Sequence, residues 1–245
     1  MNKTALVLSA GGMFGSWQMG VWRAISSRIK PDVVVGTSAG ALNGWAIAGG
    51  ADPEELEQAW LDAELADIIR VRFPGKSLFD QARMNRVAQE VFRRFSPQLP
   101  FVLTVVEVPR LRQRMVRGED VVWQHLAATC SIPLGFPPQR IGGKRYVDGG
   151  LLDILPVWAA AEMGAGRVIA LDALPQLPSR VIGHSVRMFR RLATPPRVPQ
   201  DLEITSIRPG CVLGRLRDAL FWNRDNASRW IAQGEADGRA WLSRL

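Results

Sequence analysis

Residues 33–48 read Val-Val-Val-Gly-Thr-Ser-Ala-Gly-Ala-Leu-Asn-Gly-Trp-Ala-Ile-Ala. A β-branched apolar run meets Gly36, a serine follows at 38, a second glycine at 40, and an apolar stretch of helical length continues. A buried strand, a sharp turn and a helix are the structure such a string can form. The five central letters fit G-x-S-x-G, the nucleophile elbow, where the serine sits on a strained turn. Gly36 and Gly40 are needed there because side chains would collide with the neighbouring strand and helix. The start of the helix also aims backbone N–H groups toward whatever reacts at Ser38. Three fixed letters are a weak signal, so the surroundings must decide.

The surroundings agree. Thr4–Leu8 reads as a buried strand, followed by the turn Gly11-Gly12-Met-Phe-Gly15 and a helix over 16–29 marked by Trp17, Val21, Trp22, Ile25 and Ile29. Helices are predicted over 39–48, from Asp52-Pro53 onward, and over 79–94, 120–130 and 156–163. Strands are predicted over 101–108, 112–117 and 167–172, and Gly142-Gly143 marks a hairpin between 139–141 and 144–147. Strands alternating with helices predict an α/β fold with a largely parallel sheet. Residues 213–244 read as helical, and the Pro- and Arg-rich stretch 175–200 as a mobile segment. With no repeats, the 245 residues are expected to form a single domain, 1–245, with a motif core over about 4–172 and a basic helical region over about 176–245.

Composition excludes several classes. A hydrophobic fraction of 47% is enough for a sizeable core, so disorder is excluded as the main state. Two cysteines, Cys130 and Cys211, and two histidines allow no disulfide scaffold, zinc finger or iron–sulfur site. No apolar run approaches the roughly 20 residues of a membrane-spanning helix. The apolar stretch after Lys3 is about half the length of a signal-peptide core, so a cytoplasmic location is expected.

A serine nucleophile needs a base. His125 lies in the predicted helix 120–130 and reads as a partly buried helix residue; His184 lies in an Arg-rich stretch and reads as surface. A Ser-His-Asp triad is therefore disfavoured. Tyr146-Val-Asp-Gly-Gly150 offers a carboxylate instead: Asp148 ends a short strand, and Gly149 and Gly150 let the backbone approach a partner. Taken alone, it would be read as an ordinary turn. Ser9-Ala-Gly-Gly-Met-Phe-Gly15 is a glycine turn between a strand and a helix, suited to holding an anion on backbone N–H groups. It lacks the spacing and the Lys-Ser/Thr ending of nucleotide loops, so an oxyanion hole is its better use beside an elbow.

Together these pieces resemble the patatin-like phospholipases, lipid acyl hydrolases with a Ser–Asp dyad. The glycine loop, G-x-S-x-G and Asp-Gly-Gly occur in family order, and a fourth block appears as Ala128-Thr-Cys-Ser-Ile-Pro-Leu-Gly-Phe-Pro-Pro138. Gly15-Ser-Trp-Gln-Met-Gly-Val-Trp22 also looks like the family's first helix. The resemblance covers about residues 4–172. It implies a three-layer α/β/α sandwich, Ser38 as nucleophile, Asp148 as base, the backbone N–H groups of Gly11, Gly12 and Ala39 as oxyanion donors, and no metal or organic cofactor. It implies cleavage of a lipid or other acyl ester, phospholipid, lysophospholipid or neutral, through an acyl-Ser38 intermediate. Ala10 replaces the first glycine of the family loop and Phe14 its basic residue. The change at Phe14 moves the expectation toward a neutral lipid, simple ester or thioester.

Residues 176–245 carry 12 Arg against 6 acidic side chains, within a chain of net charge +8. Trp222, Trp230 and Trp241, with Leu220, Phe221 and Ile231 beside Arg224 and Arg229, suggest either a helix docked on the core, the favoured reading, or one lying on an anionic membrane. A second basic, partly apolar stretch around Arg187, Arg190 and Arg191 reads as a lid or lipid contact. No nucleic-acid-binding signature accompanies the charge, so no nucleic-acid partner is expected. Two other classes stay open: an acyltransferase using the same acyl-enzyme, and a non-catalytic binding module.

Overall fold

The computed structural model describes residues 3–62, 80–133, 135–175 and 196–245. Five strands build a parallel core, β1 (Lys3–Leu8), β2 (Val33–Gly36), β3 (Phe101–Val108), β7 (Ala165–Leu171) and β8 (Glu203–Ile207), and in all but β8 successive side chains alternate between two buried faces. β1 lies between β2 and β7, β3 lies beside β2, and β8 beside β7, all parallel. Burial on both faces explains the near-continuous Val, Leu and Ile runs. Three antiparallel strands extend the sheet past β3: β4 (Arg112–Arg117), β5 (Gln139–Ile141) and β6 (Lys144–Asp148). Gly142 and Gly143 take φ of +55° and +77° in the β5–β6 hairpin, as its two-residue loop requires.

Leu6, Leu8, Val34, Phe101, Leu103, Ile169 and Leu171 face one helical layer. That layer contains α1 (Gly15–Ile25), α2 (Ala39–Ala48), α3 (Pro53–Leu61), α4 (Gln81–Arg94) and α5 (Trp123–Thr129). Ala5, Val7, Val33, Val35, Val102, Val168 and Ala170 face the other side, where α6 (Val157–Glu162) packs Trp158, Ala159 and Ala160 on them. The result is the expected α/β/α sandwich. Asp52 and Asp80 cap α3 and α4, accepting hydrogen bonds from the N–H of Glu54 and from those of Ala82 and Arg83.

Four details differ from the sequence reading. α1 stops at Ile25 rather than 29, and the helix expected over 120–130 is confined to α5, Trp123–Thr129, after a 3-10 turn at Gly118–Asp120. The stretch 213–244 is two helices, α7 (Leu216–Leu220) and α8 (Arg224–Leu242), separated where Asn223 starts a new cap for the N–H of Asn226. β8 was not expected, because an edge strand with exposed Glu203 and Ile204 shows little apolar patterning. Most of the segment read as mobile or as a lid, including His184, Arg187, Arg190 and Arg191, lies outside the described residues.

α8 packs on α1 at backbone contact. A Cβ on Gly20 would lie 1.9 Å from the Ile231 carbonyl oxygen, and one on Gly234 2.1 Å from that of Trp17. Trp230 and Ile231 are buried, the Trp230 Nε1–H donates to the Leu213 carbonyl at 2.7 Å, and Trp222 and Trp241 pack on the core. The C-terminal tryptophans are thus spent on the docked reading.

Candidate active site

Register on β3 brings the two distant motifs together. β4 pairs with β3 from Val102 to Glu107 and so occupies one edge continuously. The other edge is shared: β2 pairs with Phe101, Val102 and Leu103, and β6, running the opposite way, pairs with Val105 to Val108. β2 ends at Gly36 opposite Leu103, and β6 ends at Asp148 opposite Val105. The elbow and the Asp-Gly-Gly turn therefore face each other across Thr104.

At the elbow Ser38 has φ +55°, a conformation an L side chain rarely adopts. Three contacts over-determine it. A Cβ on Gly36 would lie 2.3 Å from the Gly40 carbonyl oxygen, and one on Gly40 2.4 Å from that of Ser9. The Ser38 N–H donates to Thr129 Oγ1 at 2.8 Å, and the Thr129 hydroxyl donates onward to the Thr104 carbonyl at 2.8 Å. Thr129, fully buried, therefore ties the strained serine to the strand where β2 and β6 meet. It stands in the Ala128–Pro138 block, for which the sequence suggested no role.

The Ser38 Oγ–H donates to Asp148 Oδ2 at 2.7 Å. The other carboxylate oxygen accepts from the Gly150 N–H at 2.7 Å, and the Asp148 N–H is held by the Ser131 carbonyl at 3.0 Å. Gly149 passes so close to Thr104 and Thr37 that a Cβ would sit 2.4 Å from oxygens of both. Burial pushes the Asp148 carboxyl from its ordinary 3.8 up to about 7, against the Ser38 hydroxyl and the Gly150 N–H, which hold it down. A carboxylate so placed can take a proton from a serine near neutral pH.

The loop between β1 and α1 is pinned from three sides. The Ala10 N–H donates to the Ile154 carbonyl, the Ala173 N–H to Ser9 Oγ, and the Gln18 amide to the Ser9 carbonyl. Within the described residues no hydrogen bond engages the N–H of Gly11, Gly12 or Ala39. Gly12 takes φ +56°, and its α-carbon lies against α7, where a Cβ would meet the Ala219 carbonyl at 2.1 Å. Only glycine fits there.

Ser38 opens into an apolar cavity of about 140 Å³. Leu42, Trp60, Met84, Val87, Ile132 and Leu220 are among its walls, drawn from α2, α3, α4 and α7. No sequence signal marks Leu42, Trp60, Met84 or Val87 as cavity wall, because each reads as an ordinary apolar residue of its own helix, whereas Ile132 lies in the loop after α5. Cys130 also lines the cavity against the Ser38 hydroxyl; burial and the nearby Asp148 charge push its thiol up, so it stays protonated. His125 stands apart from these groups, its Nδ1 accepting from the Val122 N–H at the start of α5. Among the described residues no three His, Cys, Asp or Glu side chains converge as a metal site.

The model of the patatin-like phospholipase family matches residues 6–161. The chain belongs to the patatin-like phospholipase family. It is 28% identical over 183 residues to patatin-like phospholipase domain-containing protein 7 of Rattus norvegicus and to protein 6 of the same series in Homo sapiens, covering 70% of this chain. It is 27% identical over 200 residues to lysophospholipase NTE1 of Phaeosphaeria nodorum, covering 77% of this chain. The chain spans only 13–14% of the length of these relatives. Among solved structures, VipD from Legionella pneumophila superposes over 99% of this chain and 67% of its own, with a TM-score of 0.63 and 12% identity.

The two departures from the patatin-like loop now have physical readings. Ala10 avoids positive φ, so it needs no glycine. Phe14 is buried, with its ring edge on Trp230 at 4.9 Å between centroids, and it is absent from the cavity wall. Its replacement of a basic residue serves the docking of α8, and the apolar character of the site comes from Met13 and the helices around it.

Proposed function

We propose that the chain is a serine acyl hydrolase of lipid esters, working in the cytoplasm with peripheral contact to anionic membrane through its basic C-terminal region. The observation that carries this reading is the 2.7 Å hydrogen bond from Ser38 Oγ to Asp148 Oδ2 at the mouth of an apolar cavity. Ser38 Oγ attacks the acyl carbonyl while its proton passes to Asp148. The carbonyl oxygen becomes an oxyanion, held by the N–H groups of Gly11, Gly12 and Ala39, which no hydrogen bond engages among the described residues. The intermediate collapses, the alkoxide leaves, and it takes the proton back from Asp148. Water then attacks the acyl-serine, Asp148 again accepts a proton, and that proton returns to Ser38 Oγ as the fatty acid departs. The cavity receives the acyl chain. The names of the relatives, phospholipase and lysophospholipase, support a lipid ester as substrate.

A serine-reactive fluorophosphonate tests the reading. Wild type is expected to label at Ser38, identified by mass of the modified peptide. Labelling is expected to disappear in Ser38→Ala and to fall sharply in Asp148→Asn. Unchanged labelling in the aspartate variant, with both proteins folded, would reject Asp148 as the base.

A further inference from the structure

α7 has two unlike sides. Toward the interior, Ala219 and Leu220 form part of the wall of the Ser38 cavity, and the Ala219 carbonyl rests on Gly12. Away from it, Arg217 and Phe221 line a separate depression of about 450 Å³ with Asp218, Trp222, Asn223 and Asn226. The flanking chain is unusual for a surface. Val212 is 87% exposed and Phe221 42%, two of the six large apolar side chains that stand exposed among the described residues. Between Arg208 and Arg224 there are four arginines, at 208, 215, 217 and 224, against one acidic side chain, Asp218. Arg208 is engaged with Asp172 at 3.1 Å. Arg217 meets Asp218 only at 3.7 Å with four-fifths of its side chain in solvent, and Arg215 is exposed.

We propose that the segment 208–224, centred on α7, is the surface by which this protein docks on an anionic lipid bilayer. This deepens the acyl-hydrolase reading and rests on it for the lipid nature of the substrate. Arg215 and Arg217 meet headgroup phosphates, while Val212 and Phe221 enter the boundary between headgroups and acyl chains. Exposed cations beside exposed apolar side chains are what an anionic interface binds. Continuity with the site adds the functional argument: the helix that touches the bilayer is also a wall of the cavity holding Ser38. The tryptophan face of α8 plays no part, because Trp230 and Ile231 are buried against α1 and its surroundings.

The test is sedimentation with vesicles of phosphatidylcholine alone and of phosphatidylcholine with phosphatidylglycerol. Proteins compared are wild type, Val212→Asp, Phe221→Asp and the double variant Arg215→Glu/Arg217→Glu. Fluorophosphonate labelling of Ser38 without vesicles is read in parallel. Wild type is expected to bind the anionic vesicles, to ignore the neutral ones, and to be released as salt rises. The arginine double variant is expected to lose about tenfold or more in binding, and Val212→Asp and Phe221→Asp several-fold, all labelling at the wild-type rate. Val212 is nearly fully exposed, so its variant separates lost contact from lost fold. Binding unchanged in all three variants, or equal binding of wild type to neutral and anionic vesicles, would overturn the proposal. So would failure of wild type to bind either vesicle, even if Ser38 labels normally. Variant-sensitive binding by a wild type that does not label would support the docking surface and count against the acyl-hydrolase reading alone.

Discussion

Asp148 makes catalysis and stability pull in opposite directions, and Asp148→Asn measures the conflict. In the folded protein its carboxyl titrates at about 7, against 3.8 when unperturbed, because burial penalises the charge. The folded value lies above the unfolded one. The group's contribution to stability is therefore full below about pH 3.8, falls as pH rises, and is gone once pH has passed about 7. A difference of this size corresponds to about 4 kcal/mol, an upper figure for one buried carboxylate. Asparagine keeps an oxygen for the Gly150 N–H and cannot ionise. Relative to wild type, the variant is expected to gain about 3 kcal/mol between pH 5 and pH 8.5. Urea unfolding of both proteins across that range reads the gain directly. The same titration sets the reaction rate: Ser38 labelling in wild type should fall about tenfold per pH unit below 7. That value overlaps the range of histidine, so the position of the limb does not identify the base, and a His125→Gln variant should keep the limb unchanged. Parallel stability curves for wild type and Asp148→Asn, or a labelling rate flat down to pH 5, would refute the reasoning.

Thr129→Val removes the hydroxyl that links Ser38 to Thr104 and leaves a buried N–H and a buried carbonyl unpaired. It should destabilise the fold by about 2–4 kcal/mol and lower kcat with little change in KM, and Thr129→Ser should restore most of both. Gly40→Ala places a methyl 2.4 Å from the Ser9 carbonyl oxygen and should abolish Ser38 labelling while lowering the melting temperature, read by circular dichroism. Phe14→Lys restores the basic residue of the patatin-like loop, yet it buries an ammonium against Trp230. It should cost about 3 kcal/mol or more and give no gain in hydrolysis of phospholipid over neutral ester, scored by product analysis.

Local rules made much of this protein legible from its residues. The elbow needs only a strand, a turn and a helix in succession, and each has a short-range signature in Val33–Val35, Gly36–Gly40 and the apolar run behind them. The cap Asp52 and the turn at Gly142-Gly143 are equally local, since backbone dihedrals and hydrogen bonds within a few residues decide them. Asp148 became a candidate base through its glycines and the lack of a suitable histidine. What placed it 2.7 Å from Ser38, 110 residues away in sequence, is register: two strands end on the same edge of β3. The roles of Thr129 and Cys130, the cavity walls at Trp60 and Leu220, and the turn of Phe14 toward Trp230 depend on the same long-range packing. So does the raised titration of Asp148, because burial is a property of everything folded around a group. Sequence determined which residues could do chemistry, since conformation and reactivity are written in residue type and near neighbours. Tertiary structure alone decided which of them meet, how dry the place is, and which faces are left to solvent, since these follow from contacts among segments far apart in the chain.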